Sequence, residues 1–299
     1  KTLTNLISLA CAATCLSCAT GNQIHPSENY QTEKRNVGNI QTISTSSSID
    51  IVYHQTNGSP YAEIYASDNV IPYIVLKESK GELTAYYKEG VTIIGENRSR
   101  IDVYAPSVTS FITQASGDIS IPEGLKTNDK VQIYSYGSGD IECPSAECSV
   151  FMAETSASGD IDIQRVTCRE IQGTTNASGD LTIKEVTCHN ASLSVNASGD
   201  CSILRMECEE SLQGTVNASG DLTLSGKCNK ANLSINASGN LDAYNLKVND
   251  VYAEVNASGD LSCYALRSIT AKTFGSGSMT FSGNPSYVNT KGKNIYKRQ

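Results

Sequence analysis

The sequence predicts an all-β protein that folds as a single-domain parallel β-helix with about 20 residues per coil, and three observations lead to this prediction. The tripeptide Ser-Gly-Asp, or a close variant, recurs nine times along the chain. Short segments in which apolar and polar residues alternate flank the copies. The composition favours strands and turns, because Trp is absent and the chain is rich in Ser, Thr, Asn, Gly and Tyr.

The central glycines of the tripeptides set the length of the repeat. They lie 22, 20, 20, 20, 21, 19, 20 and 18 residues apart, at Gly117, Gly139, Gly159, Gly179, Gly199, Gly220, Gly239, Gly259 and Gly277. This spacing indicates one supersecondary unit that is stacked many times. We interpret each glycine as a structural corner between two faces, where only Gly enters a positive φ without cost.

The segments beside each corner are predicted to be strands with one buried face. Ile161 and Ile163 flank Asp162 after one corner, and Ala191, Leu193 and Val195 alternate with polar residues before another. Two such short strands cannot bury their apolar face alone. Coils stacked at about 4.8 Å give a continuous core and pair each backbone group with the next coil. We expect the resulting helix to be right-handed.

The acidic residue of the tripeptide forms a column, meaning a set of residues at equivalent positions of successive coils. Its members are Asp118, Asp140, Asp160, Asp180, Asp200, Asp221 and Asp260. Like charges one coil apart repel by about 1 to 3 kcal/mol per pair, so turn amides or bound cations must offset them. We favour capping of turn amides. A weaker alternative is a metal site at Asp160, Asp180, Asp200 and Asp221. Asn240 and Ser278 interrupt the column, which fits capping better.

Two further columns are predicted to be structural. Asn176, Asn196, Asn217, Asn236 and Asn256 precede the glycines by three residues, and their amides can hydrogen-bond along the helix axis. Cys148, Cys168, Cys188, Cys208 and Cys228 share the strand parity of core valines. We favour buried free thiols for this column, with one or two disulfides between neighbouring coils as the next alternative. A zinc site is disfavoured because thiols in a straight stack do not converge.

The ends of the chain suggest export and capping. Residues 6–19 are mostly apolar but too few to span a bilayer, so residues 1–18 are predicted to be a signal peptide of the lipoprotein type, with lipidation of Cys18. Residues 19–35 are expected to form a flexible tether. Residues 36–283 are expected to form the β-helix, with irregular first coils and a cap at 36–106 and regular coils at 107–283. Residues 284–299 are expected to be a C-terminal cap or tail.

The charge of the chain excludes one class of partner. A net charge of −8 and a pI near 5.0 argue against nucleic acid, since phosphate binding needs a basic face. Basic residues cluster near the C-terminal end of the sequence, at Lys291, Lys293, Lys297 and Arg298. We interpret this basic cluster as a solvated end rather than a binding patch.

Several motifs together resemble the autotransporter adhesin head family, also called head GIN domains, of Bacteroidota-type bacteria. They are Asn39-Ile40-Gln41-Thr42-Ile43, Asp50-Ile51-Val52-Tyr53-His54-Gln55, Gly81-Glu82-Leu83-Thr84, Ile101-Asp102-Val103-Tyr104-Ala105-Pro106 and the Ala-Ser-Gly-Asp repeats that follow. The resemblance covers residues 36–281. It implies an exported β-helical protein without assigned catalytic residues.

These observations predict a non-catalytic cell-envelope protein, an adhesin or surface scaffold, that binds a glycan, matrix component or protein through a repetitive β-helix face. No cofactor is expected. The location expected is that of an outer-membrane lipoprotein, periplasmic or on the cell surface. Two alternatives stay open. A β-helical polysaccharide-active enzyme would need two specially placed carboxylates, whereas the Asp column repeats equivalent ones and His25, His54 and His189 are scattered. A Ca²⁺-type cation-binding module would use the Asp column.

Overall fold

The structure, a computed structural model, describes residues 21–298. These residues form a β-solenoid with about 20 residues per turn, which confirms the predicted all-β parallel β-helix. Right-handedness stays a prediction. The predicted signal peptide and Cys18 lie outside the described residues.

The N-terminal third contains short strands and one helical turn. The strands are β1 (Asn22–Ile24), β2 (Tyr30–Asn36), β3 (Thr42–Thr45), β4 (Asp50–Gln55), β5 (Tyr61–Ser67), β6 (Ile74–Ser79), β7 (Glu82–Tyr87), β8 (Val91–Ile93) and β9 (Arg100–Ala105). A 3₁₀ helix covers Ile71–Tyr73.

The remaining strands belong to the regular coils and lengthen towards the middle of the solenoid. They are β10 (Ser110–Thr113), β11 (Ile119–Ser120), β12 (Leu125–Lys126), β13 (Lys130–Ser135), β14 (Ile141–Glu147), β15 (Val150–Thr155), β16 (Ile161–Thr167), β17 (Glu170–Thr175), β18 (Leu181–Val195), β19 (Cys201–Val216), β20 (Leu222–Ile235), β21 (Leu241–Val255), β22 (Leu261–Thr273), β23 (Met279–Ser282), β24 (Tyr287–Lys291) and β25 (Ile295–Lys297).

Parallel pairing between coils creates two main faces. Face 1 joins, in order, β7, β3, β10, β13, β15, β17, the C-terminal parts of β18 to β22, and β24. Face 2 joins β9, β4, β11, β14, β16, the N-terminal parts of β18 to β22, β23 and β25. Equivalent residues stack in register, as Leu181, Cys201 and Leu222 do. The Ser-Gly-Asp corners connect face 1 to face 2.

The first coil along the chain is not the first in space. β3 lies between β7 and β10, and β4 lies between β9 and β11. The coil formed by β7 and β9 therefore stacks on the outer side of β3 and β4, although it follows them in sequence. Antiparallel strands then extend both faces: β6 pairs with β7, β5 with β9, and β2 with β5. The antiparallel strands protect the backbone edges that a bare terminal coil would expose.

The core runs continuously along the solenoid axis. Inward residues such as Ile161, Ile163 and Val166 are buried, whereas the intervening Asp162 is not. Burying such aliphatic side chains contributes about 1.5–3 kcal/mol each. Near the N-terminal end, Tyr53 packs against Phe111 and donates its hydroxyl proton to the Ala105 carbonyl oxygen at 2.7 Å. Burial raises the pKa of Tyr53 to about 12.

The corner glycines are required by a close approach between coils, which corrects the explanation based on positive φ. Among the glycines described, positive φ occurs at Gly81, Gly90, Gly95, Gly124, Gly226, Gly283 and Gly292, and at no corner glycine. A Cβ atom on Gly199 would lie well inside 3 Å of the Gly179 carbonyl oxygen, and one on Gly220 would meet Gly199 in the same way. The obstacle is backbone, which cannot rotate aside.

The structure differs from the predicted tether at residues 19–35. From residue 21 onwards this segment contributes β1, which pairs with β8, and β2, which pairs with β5. Tyr30 of β2 stacks on Tyr65 with ring centroids 5.3 Å apart, and Arg35 donates to the Ile74 carbonyl oxygen at 2.9 Å. No residue of β2 is fully buried. The strand therefore lacks the apolar alternation by which a sequence reveals a strand.

The predicted C-terminal cap or tail, residues 284–299, contributes the last coil as far as it is described. β24 pairs with β22, and β25 pairs with β23. Every residue of β24 is exposed, so backbone pairing rather than apolar burial holds this strand.

We expect Gly199→Ala to destabilise the protein by about 1–3 kcal/mol, because the new methyl group must push two stacked coils apart. Gly58→Ala is the matched control, since a Cβ atom at Gly58 meets nothing within 4 Å. The free energy of unfolding of both variants would be measured by urea denaturation. Equal stability of the two variants would contradict the role assigned to the corner.

Candidate binding surface

The Asp column caps the backbone of the next coil. The backbone N–H of Asp140 donates to the Asp118 carboxylate at 2.8 Å, and Asp160 donates to Asp140 at 2.8 Å. The same bond joins Asp180 to Asp160, Asp200 to Asp180, and Asp221 to Asp200, at 2.7–2.8 Å. Each carboxylate therefore faces an amide proton, which offsets part of the repulsion along the column.

The interruptions of the column preserve this hydrogen bond. Asn240 accepts from the N–H of Asp260 at 3.1 Å through its side-chain oxygen, so a neutral amide replaces a carboxylate there. Ser278 donates both its N–H and its hydroxyl to Asp260 at 2.8 Å. At the other end, Asp50 accepts from the N–H of Asp118 at 3.0 Å, a member of the column that the repeat pattern did not reveal. The shared requirement is an oxygen acceptor, not a charge.

The column nevertheless keeps an acidic environment along one edge. Partial desolvation, reinforced by the charges of Asp160 and Asp140, raises the pKa of Asp162. Within residues 21–298, no three His, Cys, Asp or Glu side chains are grouped so that they could hold a metal ion. Asp160, Asp180, Asp200 and Asp221 lie in a line, one per coil, rather than around a common point.

The Asn column forms a continuous chain of amides. Asn196 donates its side-chain N–H to the Asn176 side-chain oxygen at 2.9 Å, and Asn217 donates to Asn196 at 2.8 Å. Asn236 and Asn256 continue the chain at 2.8 and 2.9 Å. Asn176 ends it by donating to Glu154 at 2.9 Å. The chain adds side-chain bonds parallel to the backbone pairing of the coils.

A column of buried hydroxyl groups lies just inside the same corner, and the sequence analysis missed it. Thr155 and Thr175 are buried and donate to the carbonyl oxygens of Gly179 and Gly199 at 2.8 and 3.2 Å. Thr113 donates to Gly139 at 3.0 Å. In later coils Val195 and Val216 occupy this position. The replacement of Thr by Val in these coils concealed the column, because both residues are β-branched and similar in shape.

The Cys column is buried between the segments that pair on face 1 and face 2. Its five cysteines are free thiols in this structure. Cys208 donates to the Ser211 carbonyl oxygen at 3.2 Å and Cys228 to that of Lys230 at 3.1 Å. Cys143, Cys201 and Cys263 are also buried and free but stand in other core columns.

The thiols respond differently to their surroundings. Burial raises the pKa of Cys148 to about 11 and that of Cys168 to about 12. Further along, hydrogen bonding between stacked thiols raises the pKa of Cys188 and Cys228 and lowers that of Cys208, which lies between them. Cys208 and Cys228 also line a groove of about 550 Å³. Cys208 and Cys228 are therefore the two members of the column that a reagent in this groove would meet.

The histidines do not come together. His25 and His189 are exposed, and His189 lies 3.1 Å from Glu209. His54 is half-buried on face 2, stacks on Tyr104 and contacts Glu123 at 2.9 Å. Its second ring nitrogen lies 3.4 Å from Asp102. Both ring nitrogens of His54 therefore meet carboxylates, an arrangement that orients the ring without presenting it to a nucleophile.

The outer surface of face 1 carries an uncharged array that spans four coils, which we term the polar lattice. Its members all bear hydroxyl or amide groups: Gln172, Thr174 and Asn176; Ser192, Ser194 and Asn196; Gln213, Thr215 and Asn217; Asn232, Ser234 and Asn236. Strand geometry spaces them by about 4.8 Å across coils and about 6.6 Å along each strand.

The polar lattice has defined limits and internal contacts. Glu154 precedes it and Glu254 follows it, one coil away on either side. Within it, Ser194 donates to Thr174 at 3.3 Å and Ser234 to Thr215 at 3.2 Å. The Asn column forms one border. The lattice therefore presents many equivalent hydrogen-bonding groups without a net charge.

No helix in the stretch from residue 21 to residue 298 is long and apolar enough to cross a membrane.

We expect Asp180→Asn to leave stability nearly unchanged, because Asn240 shows that an amide oxygen can accept the same bond. Asp180→Ala should cost about 1 kcal/mol, since the N–H of Asp200 then loses its protein acceptor. Urea denaturation checks both variants.

Thermal unfolding of the wild-type protein should also have the same midpoint with Ca²⁺ as with EDTA. If Ca²⁺ raises the unfolding midpoint of the wild-type protein but not that of Asp180→Asn, the cation-binding alternative would be supported instead.

We also expect all eight cysteines of residues 21–298 to be alkylated by iodoacetamide after denaturation without a reductant, as peptide mapping by mass spectrometry would show. In the folded protein Cys208 and Cys228 should react first, because both line a groove. Cys263, whose pKa burial raises to about 12, is the internal control. A disulfide-linked peptide joining neighbouring coils would contradict the free-thiol column.

Solved structures of other proteins share this architecture. Two crystal structures from Parabacteroides distasonis ATCC 8503 are similar, each with a TM-score of 0.54. One is described as a "putative lipid binding protein", with 19% identity over 93% of this chain and 100% of its own. The other is described as a "putative adhesin", with 16% identity over 92% of this chain and 99% of its own. At these identities the likeness shows the fold alone. No curated protein matches the chain in sequence.

The family match rests on the sequence and extends along most of the solenoid. A model of the family described as "Putative auto-transporter adhesin, head GIN domain" matches residues 39–207 and 203–285. This confirms the resemblance inferred from the motifs of the first coils and from the corner repeats. The chain belongs to this head GIN domain family.

Proposed function

We propose that the protein is a non-catalytic, exported envelope adhesin that binds an uncharged glycan through the polar lattice of face 1. Family membership supports the coarser part of this proposal, an adhesin-like protein that is exported or at the surface. The observation that carries the finer part is the array of twelve neutral hydroxyl and amide side chains in register over four coils.

The chemistry of the polar lattice suits sugar hydroxyl groups. Hydroxyl and amide side chains can both donate and accept, so they match a surface of sugar hydroxyls in several registers. Many equivalent contacts favour adhesion, because several weak contacts on one rigid body act together once the first has formed. A flat sheet face also needs little reorganisation on binding.

The arrangement of titratable groups supports binding rather than catalysis. The carboxylates of the Asp column are already hydrogen-bonded to backbone amides and are equivalent from coil to coil. Glycoside hydrolysis requires two carboxylates in different environments, one protonated and one ionised. His54, the most contacted histidine, lies on face 2 and away from the polar lattice.

The proposal includes attachment to the outer membrane as a lipoprotein, periplasmic or at the cell surface. It rests on the signal-like residues 1–18 and on Cys18. Acyl chains at Cys18 would hold the solenoid by its N-terminal end, with burial worth about 0.8 kcal/mol per methylene.

The test is a glycan array probed with the full chain and with Ser194→Lys. We expect the wild-type protein to bind neutral glycans and the variant to lose most of that binding, because a lysine at the centre of the polar lattice blocks close approach and introduces a charge. Ser202→Lys is the matched control: Ser202 is equally half-buried but lies on face 2.

Binding that survives Ser194→Lys, or that Ser202→Lys weakens equally, would reject the polar lattice as the contact. Release of reducing ends or of unsaturated sugars from any bound polysaccharide would favour the enzyme alternative.

A further inference from the structure

A second surface differs from the polar lattice in both place and charge. On face 2, at the C-terminal end of the solenoid, an open groove of about 590 Å³ is lined by Tyr244, Tyr264, Ser282, Gly283, Asn284, Lys297 and Arg298. We term it the terminal groove. None of its lining residues has an aliphatic side chain other than the stems of Lys297 and Arg298.

The terminal groove is assembled from four consecutive coils, because Ser282 of β23 also lines it. Tyr244 belongs to β21, Tyr264 to β22, and Lys297 to β25, which pairs with β23. Arg298 is fixed beside β23, because its backbone N–H donates to the Phe281 carbonyl oxygen at 2.8 Å. The basic cluster that the sequence indicated as a solvated end is thereby folded, in part, against two tyrosines.

Both cations of the terminal groove are held by neutral groups. The Arg298 guanidinium lies over the Tyr244 ring, 4.7 Å from its centroid, and Lys297 donates to the Asn284 side-chain oxygen at 3.1 Å. Among the described residues, neither cation takes part in an ion pair, although exposed arginines elsewhere do, such as Arg165 with Glu185. Two oriented positive charges therefore remain available in a protein of net charge −8.

The nearest acidic side chain along the strand is already engaged. Asp242 accepts from the backbone N–H of Tyr244 at 3.0 Å and from the Ser262 hydroxyl. Its carboxylate is therefore directed to its own coil and to the next one. The charges of the terminal groove that lack an ionic partner are therefore the positive ones of Lys297 and Arg298.

These groups together define the chemistry of a ligand. A guanidinium held flat on an aromatic ring still presents its N–H edge, and that edge fits a carboxylate in a bidentate way. Lys297 adds a second positive charge, and Ser282, Asn284 and the tyrosine hydroxyls can bind sugar hydroxyls. The absence of lining aliphatic residues argues against an acyl chain. Charge complementarity and hydrogen bonding thus both favour an acidic sugar.

We propose that the terminal groove binds a carboxylated oligosaccharide, with the sugar carboxylate on Arg298 and Lys297 and the neighbouring hydroxyls on Asn284 and the tyrosines. This site is separate from the polar lattice and does not depend on the function proposed for it. The solenoid then carries two specificities: neutral glycans on face 1 and acidic ones at the end of face 2.

The test is isothermal titration of the full chain with a trimer of galacturonic acid, compared with its neutral methyl ester. We expect binding of the acid and at least tenfold weaker binding of the ester. Arg298→Gln and Lys297→Gln should each weaken binding of the acid at least tenfold. Arg298→Lys should bind the acid more tightly than Arg298→Gln but less tightly than the wild-type protein, because an ammonium lacks the planar fork. Circular dichroism and the thermal midpoint confirm that each variant is folded.

Arg165→Gln is the matched control, because it removes the same charge from an exposed arginine that is paired with Glu185. Equal weakening in Arg165→Gln would reduce the effect to general electrostatics and overturn the site. Equal affinity for acid and ester, or no binding by the wild-type protein, would also overturn it. So would tighter binding to a sulfated trisaccharide or to vesicles of anionic phospholipid. Ser194→Lys should leave binding of the acid unchanged, so that failure of the polar lattice and failure of the terminal groove can be told apart.

Discussion

The close stacking of one corner on the next is the constraint on which the rest of this structure depends. From Gly139 onward, each corner brings backbone of one coil against the carbonyl oxygen of the corner glycine one coil earlier, at a separation that leaves no space for a Cβ atom. Because the corners stack directly, all residues at a given position of the repeat fall into columns. The same stacking keeps face 1 and face 2 in register over many coils. The continuous core, the columns and the polar lattice all follow from this stacking.

Stacking identical residues has a cost for polar and charged groups, and each column meets it differently. The Asp column places an acceptor opposite the amide of the next coil, so that repulsion between neighbours is opposed by a charge-assisted hydrogen bond. The Asn column satisfies donor and acceptor at once, because each amide between its two ends both donates and accepts a hydrogen bond. The Cys column avoids the problem because its thiols are buried and neutral. At Cys148 and Cys168 this burial raises the pKa and so opposes ionisation.

Besides the columns that stabilise the fold, the solenoid has two outer surfaces to which we assign binding, the polar lattice and the terminal groove. On face 1, the polar lattice carries only hydroxyl and amide groups, whereas the equivalent positions of the coils on either side carry Glu154 and Glu254. At the end of face 2, the repeat gives way to individual residues, and two tyrosines and two cations form a groove. The first surface offers many equivalent contacts and the second a few specific ones. In the two functions that we propose, one solenoid combines avidity for a neutral polymer with selectivity for an acidic sugar.

The sequence by itself determined the repeat, the buried parity and most members of the three predicted columns, because a stacked fold converts a period in sequence directly into neighbours in space. It could not determine why the corner must be glycine, since the clash involves backbone of another coil. The exposed strand β2 and the spatial order of the first coils were hidden for related reasons: β2 buries no apolar face, and β3 pairs with β7 only through a long connection. The terminal groove was equally hidden. Arg298 and Tyr244 lie 54 positions apart, and only the stacking of the last coils brings a guanidinium over that ring.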